Sequence, residues 1–153
     1  MSMILNDVLT KQNVFTKILL KDGNKELPKE LKVKIMRIRM FYAKIVKSFE
    51  SELQEFAQEI IPEELKLLAS KSNRTDSENT RMQELNTIFN SEYSEFVTQK
   101  GLESVAVIDD TFTFEEYSEI LEVNAGNNVV INGTTVLAPD FMELVYTLFV
   151  KED

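Results

Sequence analysis

The chain has 153 residues, 43% of them hydrophobic, which suits one globular domain with a sizeable core. It contains no cysteine and no histidine, so disulfides, thiolate or imidazole metal sites, and Cys- or His-based catalysis are excluded. The net charge of -9 excludes a uniformly basic nucleic-acid-binding protein.

The charge is unevenly distributed along the chain. Residues 1–60 contain 11 Lys or Arg against 8 Asp or Glu, whereas residues 101–153 contain 1 against 11. An acidic C-terminal part facing a basic helix, within one molecule or between copies, is compatible with this distribution. No apolar run approaches the roughly 20 residues of a membrane span, and the N-terminal segment has no basic leader. We therefore expect an intracellular protein without membrane contact.

A short helix and a long helix are predicted first. Asn6 or Asp7 can cap a helix that runs to about Leu20. A turn at Asp22-Gly23-Asn24 follows, and Pro28 suits the first turn of the next helix. These elements predict an α-hairpin.

The long helix covers residues 27–61 and organises the rest of the chain. Apolar residues recur at helical spacing along one side, namely Leu31, Ile35, Ile38, Tyr42, Ile45, Phe49, Leu53, Phe56 and Ile60. The basic first half carries a second apolar stripe, made by Val33, Met36 and Met40. The distal half has an acidic outer side, made by Glu50, Glu52, Glu55 and Glu59.

The second stripe has two interpretations. In the first, the short helix covers one stripe and the C-terminal part covers the other, as in an ordinary core. In the second, the stripe is a protein-binding surface, since methionine repacks easily and arginine is favoured at interfaces. The residues predicted for that surface are Val33, Met36, Arg37, Met40 and Phe41.

The middle of the chain predicts two more helices. Pro62 interrupts the long helix, and the segment EELKLLAS forms a short one. The polar stretch SKSNRTDSEN is a loop. A helix then runs from Thr80 or Ser77 to Gly101 and returns along the distal half of the long helix. Its apolar side consists of Met82, Leu85, Phe89, Tyr93 and Phe96.

The C-terminal third mixes strands and helices. SVAVI is a candidate strand, and Thr113 with Glu116 predicts a capping box for the helix FEEYSEILEV, which Gly126 closes. Asn132-Gly133 is the preferred pair for a two-residue β-hairpin turn. A last helix opens at Ala138-Pro139-Asp140, and its core side carries Phe141, Leu144 or Val145, and Leu148.

The predicted fold is therefore α+β and mainly α. A long antiparallel helical hairpin or bundle occupies residues 1–100. A small α+β module with a β-hairpin occupies residues 101–153 and shares one core with it.

The densest group of carboxylates consists of Asp109, Asp110, Glu115, Glu116 and Glu119. Mg²⁺ or Ca²⁺ would accept such ligands, but the spacing matches no EF-hand loop and no phosphate-binding glycine loop is near. We expect no metal, no other cofactor and no catalytic residue. The basic run of the long helix lacks any RNP-like or glycine-rich pattern, so we also expect no nucleic-acid partner.

Three segments carry a resemblance to a known group of proteins. They are VFTKILLKDGNKELPKELKVKIMRIR, SFESELQEF and VVINGTTVLAPDFMELV. In this order of elements the chain resembles short accessory proteins of tailed bacteriophages, which have no established activity. The resemblance implies a long helical hairpin with a small C-terminal α+β part, and it carries over no catalytic residue.

Two functions are expected on these grounds. The first is a non-enzymatic phage accessory protein, a minor virion component or assembly factor, that contacts other protein subunits as an oligomer or within a larger assembly. It would be found in the virion or in the cytoplasm of the bacterial host. The alternative is an acidic inhibitor, in which the five carboxylates imitate nucleic acid or fill a basic groove of a host enzyme.

Overall fold

The computed structural model describes residues 1–152 and has the predicted α+β, mainly α, fold. The helices are α1 (Leu5–Phe15), α2 (Lys29–Ile60), α3 (Glu63–Ser70), α4 (Asp76–Gly101), α5 (Phe114–Asn124) and α6 (Ala138–Phe149). The strands form three antiparallel pairs: β1 (Ser2–Ile4) with β4 (Ser104–Ala106), β2 (Lys21–Asp22) with β3 (Lys25–Glu26), and β5 (Val129–Ile131) with β6 (Thr134–Val136). Within the described residues, no helix has the length and apolarity to cross a membrane.

The chain forms two compact units. The first combines residues 1–45 with the C-terminal residues from Ser104 onward, and the second is residues 46–103. The predicted boundary between regions 1–100 and 101–153 does not separate these two units, because the first unit contains residues of both regions. The hydrophobic core of the first unit likewise draws on both regions.

The core of the first unit is built on one side of α2. The predicted residues Leu31, Ile35, Ile38 and Tyr42 are all buried there. Side chains of α1, α5 and α6 pack into the same cluster, among them Val8, Phe15, Ile120, Phe141, Val145 and Phe149. The interpretation in which α1 and the C-terminal part cover opposite stripes of α2 is therefore wrong, because both pack in one core with the same stripe.

Phe15 lies among three other aromatic rings. Its ring centroid is 5.8 Å from that of Tyr42, 6.0 Å from that of Phe112 and 5.0 Å from that of Phe149. Such edge and stacked arrangements add to the free energy gained from burial. This cluster joins α1, α2, α6 and the segment before α5.

The N-terminal segment differs from its prediction. Helix α1 begins at Leu5 after Ile4, with no side-chain cap from Asn6 or Asp7, because β1 precedes it directly. The helix ends at Phe15, since the chain has to enter the hairpin of β2 and β3. The predicted turn of that hairpin is confirmed, with Gly23 at φ +59.

Most C-terminal elements match their predictions. The strand expected at SVAVI is β4, although its partner β1 was not predicted. The capping box of Thr113 and Glu116 is present, and Asn132 and Gly133 take positive φ in the β5–β6 turn. In α6, Val145 rather than Leu144 faces the core, and Phe149, the last residue of the helix, is also buried there.

The second unit pairs the distal half of α2 with α3 and α4. The rings of Phe56 and Phe96 stack with centroids 3.9 Å apart, and Lys100 forms an ion pair with Glu52. This is the predicted return of α4 along α2. Helix α4 begins at Asp76 rather than Ser77 or Thr80, because Thr75 and Glu78 form a capping box.

Candidate protein-docking groove

An open apolar groove of about 740 Å³ runs along the proximal half of α2, within the first unit. We call it the basic groove. Its lining residues are Leu20, Lys29, Lys32, Val33, Met36, Arg37, Met40, Phe41, Lys44 and Ile108. All five residues predicted for a partner-binding surface line it.

The floor of the groove is the second apolar stripe of α2. Val33, Met36 and Met40 follow at spacings of three and four residues, so they lie on one side of the helix. Val33 is 49% exposed, Met36 45% and Met40 62%. In the first unit, therefore, this stripe is left open to solvent.

Leu20 forms one wall and is held by backbone contacts on both sides. The Leu27 amide donates a hydrogen bond of 3.1 Å to the Leu20 carbonyl. The preceding residue, Leu19, donates its amide to Asn124 Oδ1 at 2.7 Å, and its carbonyl accepts from Asn124 Nδ2 at 3.1 Å. Arg39 also donates to the Ile18 carbonyl. These bonds place Leu20 beside the proximal end of α2.

Ile108 forms the other wall, and a buried polar contact fixes its segment. Asp110, two residues later, is 8% exposed and accepts a hydrogen bond from the Tyr42 hydroxyl. Lys11 Nζ lies 2.7 Å from the same carboxylate. Burial, together with the hydrogen bond to Asp110, raises the pKa of Tyr42 well above its ordinary value, so the hydroxyl stays protonated and keeps donating.

The rim of the groove is positively charged. Lys29, Lys32, Arg37 and Lys44 contribute to the lining, whereas no Asp or Glu does. Lys32 Nζ pairs with Glu26 at 3.0 Å. No ion pair within residues 1–152 involves the other three cations. A groove with an apolar floor and a positively charged rim therefore suits a ligand whose apolar surface is flanked by acidic residues.

The five carboxylates predicted as an acidic surface are not equivalent. Asp110 is buried against Tyr42 and Lys11. Glu116 caps α5 and pairs with Lys34 Nζ at 3.0 Å. Asp109 accepts from Thr111 Oγ1 at 2.6 Å, which lowers its pKa. Only Glu115 and Glu119 are exposed without a protein partner in the described chain.

No group of three or more acidic side chains within residues 1–152 is arranged to hold a metal ion. Three of these carboxylates instead have partners within the chain, as the hydrogen bonds of Asp109, the contacts of Asp110 and the helix cap of Glu116 illustrate. The chemistry that the groove offers is binding through thioether, aliphatic and cationic side chains.

The sequence indicated the floor and cations of the groove but not its walls. Helical periodicity groups residues of α2, whereas Leu20 and Ile108 reach it only through tertiary contacts. Local sequence patterns give no signal for such long-range neighbours.

Comparisons with protein-family models, curated protein sequences and solved structures give no match for this chain. The resemblance to phage accessory proteins stays a prediction.

Proposed function

We propose that this protein works without catalysis, by binding another protein chain in the basic groove of α2. The observation that carries the proposal is the exposed stripe of Val33, Met36 and Met40 on a well-packed helix. Large exposed apolar patches with a charged rim are typical of interaction sites.

The chemistry of the lining supports a protein ligand. Methionine side chains adapt to the shape of an apolar partner surface, and arginine is enriched at protein interfaces. The positive rim favours a partner with acidic residues and would steer its approach. The walls at Leu20 and Ile108 are held by hydrogen bonds of their neighbours, so the groove is formed before a partner arrives.

A role as a virion component or assembly factor, in the virion or the host cytoplasm, is compatible with such a binding protein. It rests on the resemblance of three segments to phage accessory proteins. The acidic-inhibitor function is less well supported, because two of its five carboxylates, Asp110 and Glu116, are held in ion pairs of the chain itself.

Affinity capture from the native host with matched variants tests the proposal. Met40→Asp places a carboxylate in the floor, and Arg37→Glu reverses one rim charge. Ile88→Asp is the control, since Ile88 is also exposed (52%) but lies on α4 outside the groove. A stoichiometric partner should bind the wild type and Ile88→Asp and be lost with both groove variants. Equal capture by all four proteins would contradict the proposal.

A further inference from the structure

A second exposed apolar surface lies where α5 meets the start of α6, also within the first unit. It encloses about 560 Å³ and is lined by Leu121, Ala125, Leu137, Pro139 and Met142, among others. Leu121 is 42% exposed and Leu137 56%. We call it the acidic face, because the two helices that build it contain acidic residues and no basic ones.

The helices that build the acidic face carry only negative charge. Neither α5 nor α6 contains a Lys or Arg. Exposed carboxylates on the two helices are Glu115, Glu119, Glu122, Asp140 and Glu143. Of these, Glu122 pairs with Lys25, and no ion pair of the described residues involves the other four. The lining of the acidic face is itself uncharged, and the two helices that build it carry these acidic side chains and no basic one.

The basic groove and the acidic face are complementary in both respects. Each presents exposed apolar side chains, the groove Met36 and Met40 and the face Leu121 and Leu137. The groove lining contains four cations and no acid, whereas α5 and α6 contain acids and no cation. The two surfaces share no lining residue, so one molecule can use both at once.

We infer that the occupant of the basic groove is the acidic face of a second copy of this chain. This inference rests on the proposed function, since it names the partner of the same groove. Docking would cover Met40 and Leu121 together and place the carboxylates of α5 and α6 beside the lysines and Arg37. Apolar burial stabilises the contact, and charge complementarity selects its orientation.

The contact pairs the groove of one copy with the face of the other. A symmetric dimer centred on either surface alone would bring the same surface of both copies together. Groove against groove would oppose two sets of lysine and arginine side chains, and face against face would oppose two sets of carboxylates, which disfavours both arrangements. When groove and face engage reciprocally across a two-fold axis, the contact closes as a dimer; when they engage head-to-tail, one groove and one face stay free and assembly continues into a ring or a filament.

Sedimentation velocity of the full chain tests this inference. The wild type should associate as concentration rises, into a dimer or into larger species, and raising the salt from about 0.05 to 0.5 M should weaken association by about tenfold. Met40→Asp and Arg37→Glu block the groove, and Leu121→Lys and Leu137→Lys block the face. Each variant alone should remain monomeric, with the circular dichroism of the wild type.

The decisive sample is an equal mixture of Met40→Asp and Leu121→Lys. The first variant keeps an intact face and the second an intact groove, so the mixture should form a dimer and nothing larger. Ile88→Asp should assemble like the wild type.

Three results would overturn the inference. They are a wild type that stays monomeric at about 1 mM, a mixture that stays monomeric, and variants of the face that assemble normally. If any of these occurs while the groove variants still lose a captured partner, the groove binds a different protein and the proposed function stands. If the groove variants also capture normally, both proposals fail.

Discussion

The Tyr42 hydroxyl donates a hydrogen bond to the Asp110 carboxylate, across 68 residues of sequence. Tyr42 belongs to the buried side of α2, and Asp110 lies two residues after Ile108, which lines the basic groove. The same carboxylate forms an ion pair with Lys11 of α1. The contact therefore links the core of the first unit to one wall of its proposed docking site.

We predict that Tyr42→Phe lowers the free energy of unfolding by about 1–2 kcal/mol, because a buried hydrogen bond is lost while the ring packing against Phe15 remains. Asp110 keeps Lys11 as a partner, which limits the loss. Urea denaturation followed by circular dichroism measures it. Tyr93→Phe, on α4, is the matched control and should change stability by less than about 0.5 kcal/mol. Equal effects of the two variants would contradict this role of the contact.

Neighbouring residues on α2 should respond very differently to truncation. Ile35 is 0% exposed and Met36 45%. Ile35→Ala should cost about 2–5 kcal/mol by leaving a cavity in the core. Met36→Ala should change the stability of the isolated monomer by less than about 0.5 kcal/mol. Dilute samples should be used for denaturation, so that association does not contribute. A large cost of Met36→Ala under these conditions would mean that the chain itself covers the stripe.

The helical periodicity of α2 was sufficient to predict both of its stripes, because the pattern is local. The capping box at Thr113 and the Asn132-Gly133 turn were predictable for the same reason. The pairing of β1 with β4 was not, since it joins Met3 to Val105 through a tertiary contact. Which stripe α1 and the C-terminal helices cover is likewise set by packing, and the sequence left both interpretations open.

The capping box of α5 predicts that the stability of the fold depends on pH through the carboxylate of Glu116. Burial acts to raise the pKa of Glu116, but the hydrogen bond from the Thr113 amide and the charge of Lys34 outweigh it, so the pKa lies below its ordinary 4.5. A lowered pKa means that the carboxylate stabilises the fold above pH 4.5 and that this contribution is lost as the pH falls.

Glu116→Gln should therefore be less stable than the wild type by about 0.5 kcal/mol at neutral pH, since it keeps the capping box but loses the ion pair. The difference should shrink as the pH is lowered from about 5 to 3. Thermal unfolding at several pH values measures it. As a control, Thr113→Ala should lose about 1 kcal/mol at neutral and acidic pH alike, because its cap carries no charge. A Glu116→Gln difference that does not change with pH would refute this assignment.

Asn124 should be among the least tolerant polar positions. It is 0% exposed, and its amide group makes hydrogen bonds with the Leu19 amide and carbonyl and with the Ile120 carbonyl. Asn124→Leu leaves these buried groups without partners and should cost about 3 kcal/mol or more. Asn90→Leu, at an exposed position of α4, should be nearly neutral. Denaturation curves compare them, and similar midpoints for both variants would show that Asn124 does not hold the Leu19–Leu20 wall.

The structural role of the buried Asn124 could not be predicted from the sequence. An asparagine near the end of a helix usually indicates a cap or a turn, and nothing in its neighbourhood points to Leu19. Its role depends on a contact across 105 residues.

The central claim, that the basic groove receives the acidic face of a second copy, is tested most directly by NMR of the methionine methyl groups. Leu121→Lys, with its groove intact, is labelled on these methyls, and unlabelled Met40→Asp, with its acidic face intact, is added. We predict that the resonances of Met36 and Met40 shift or broaden in proportion to the added protein, while that of Met82, in the core of the second unit, does not change. If the Met36 and Met40 resonances stay fixed throughout the titration, the groove does not receive the acidic face of a second copy and this claim is contradicted.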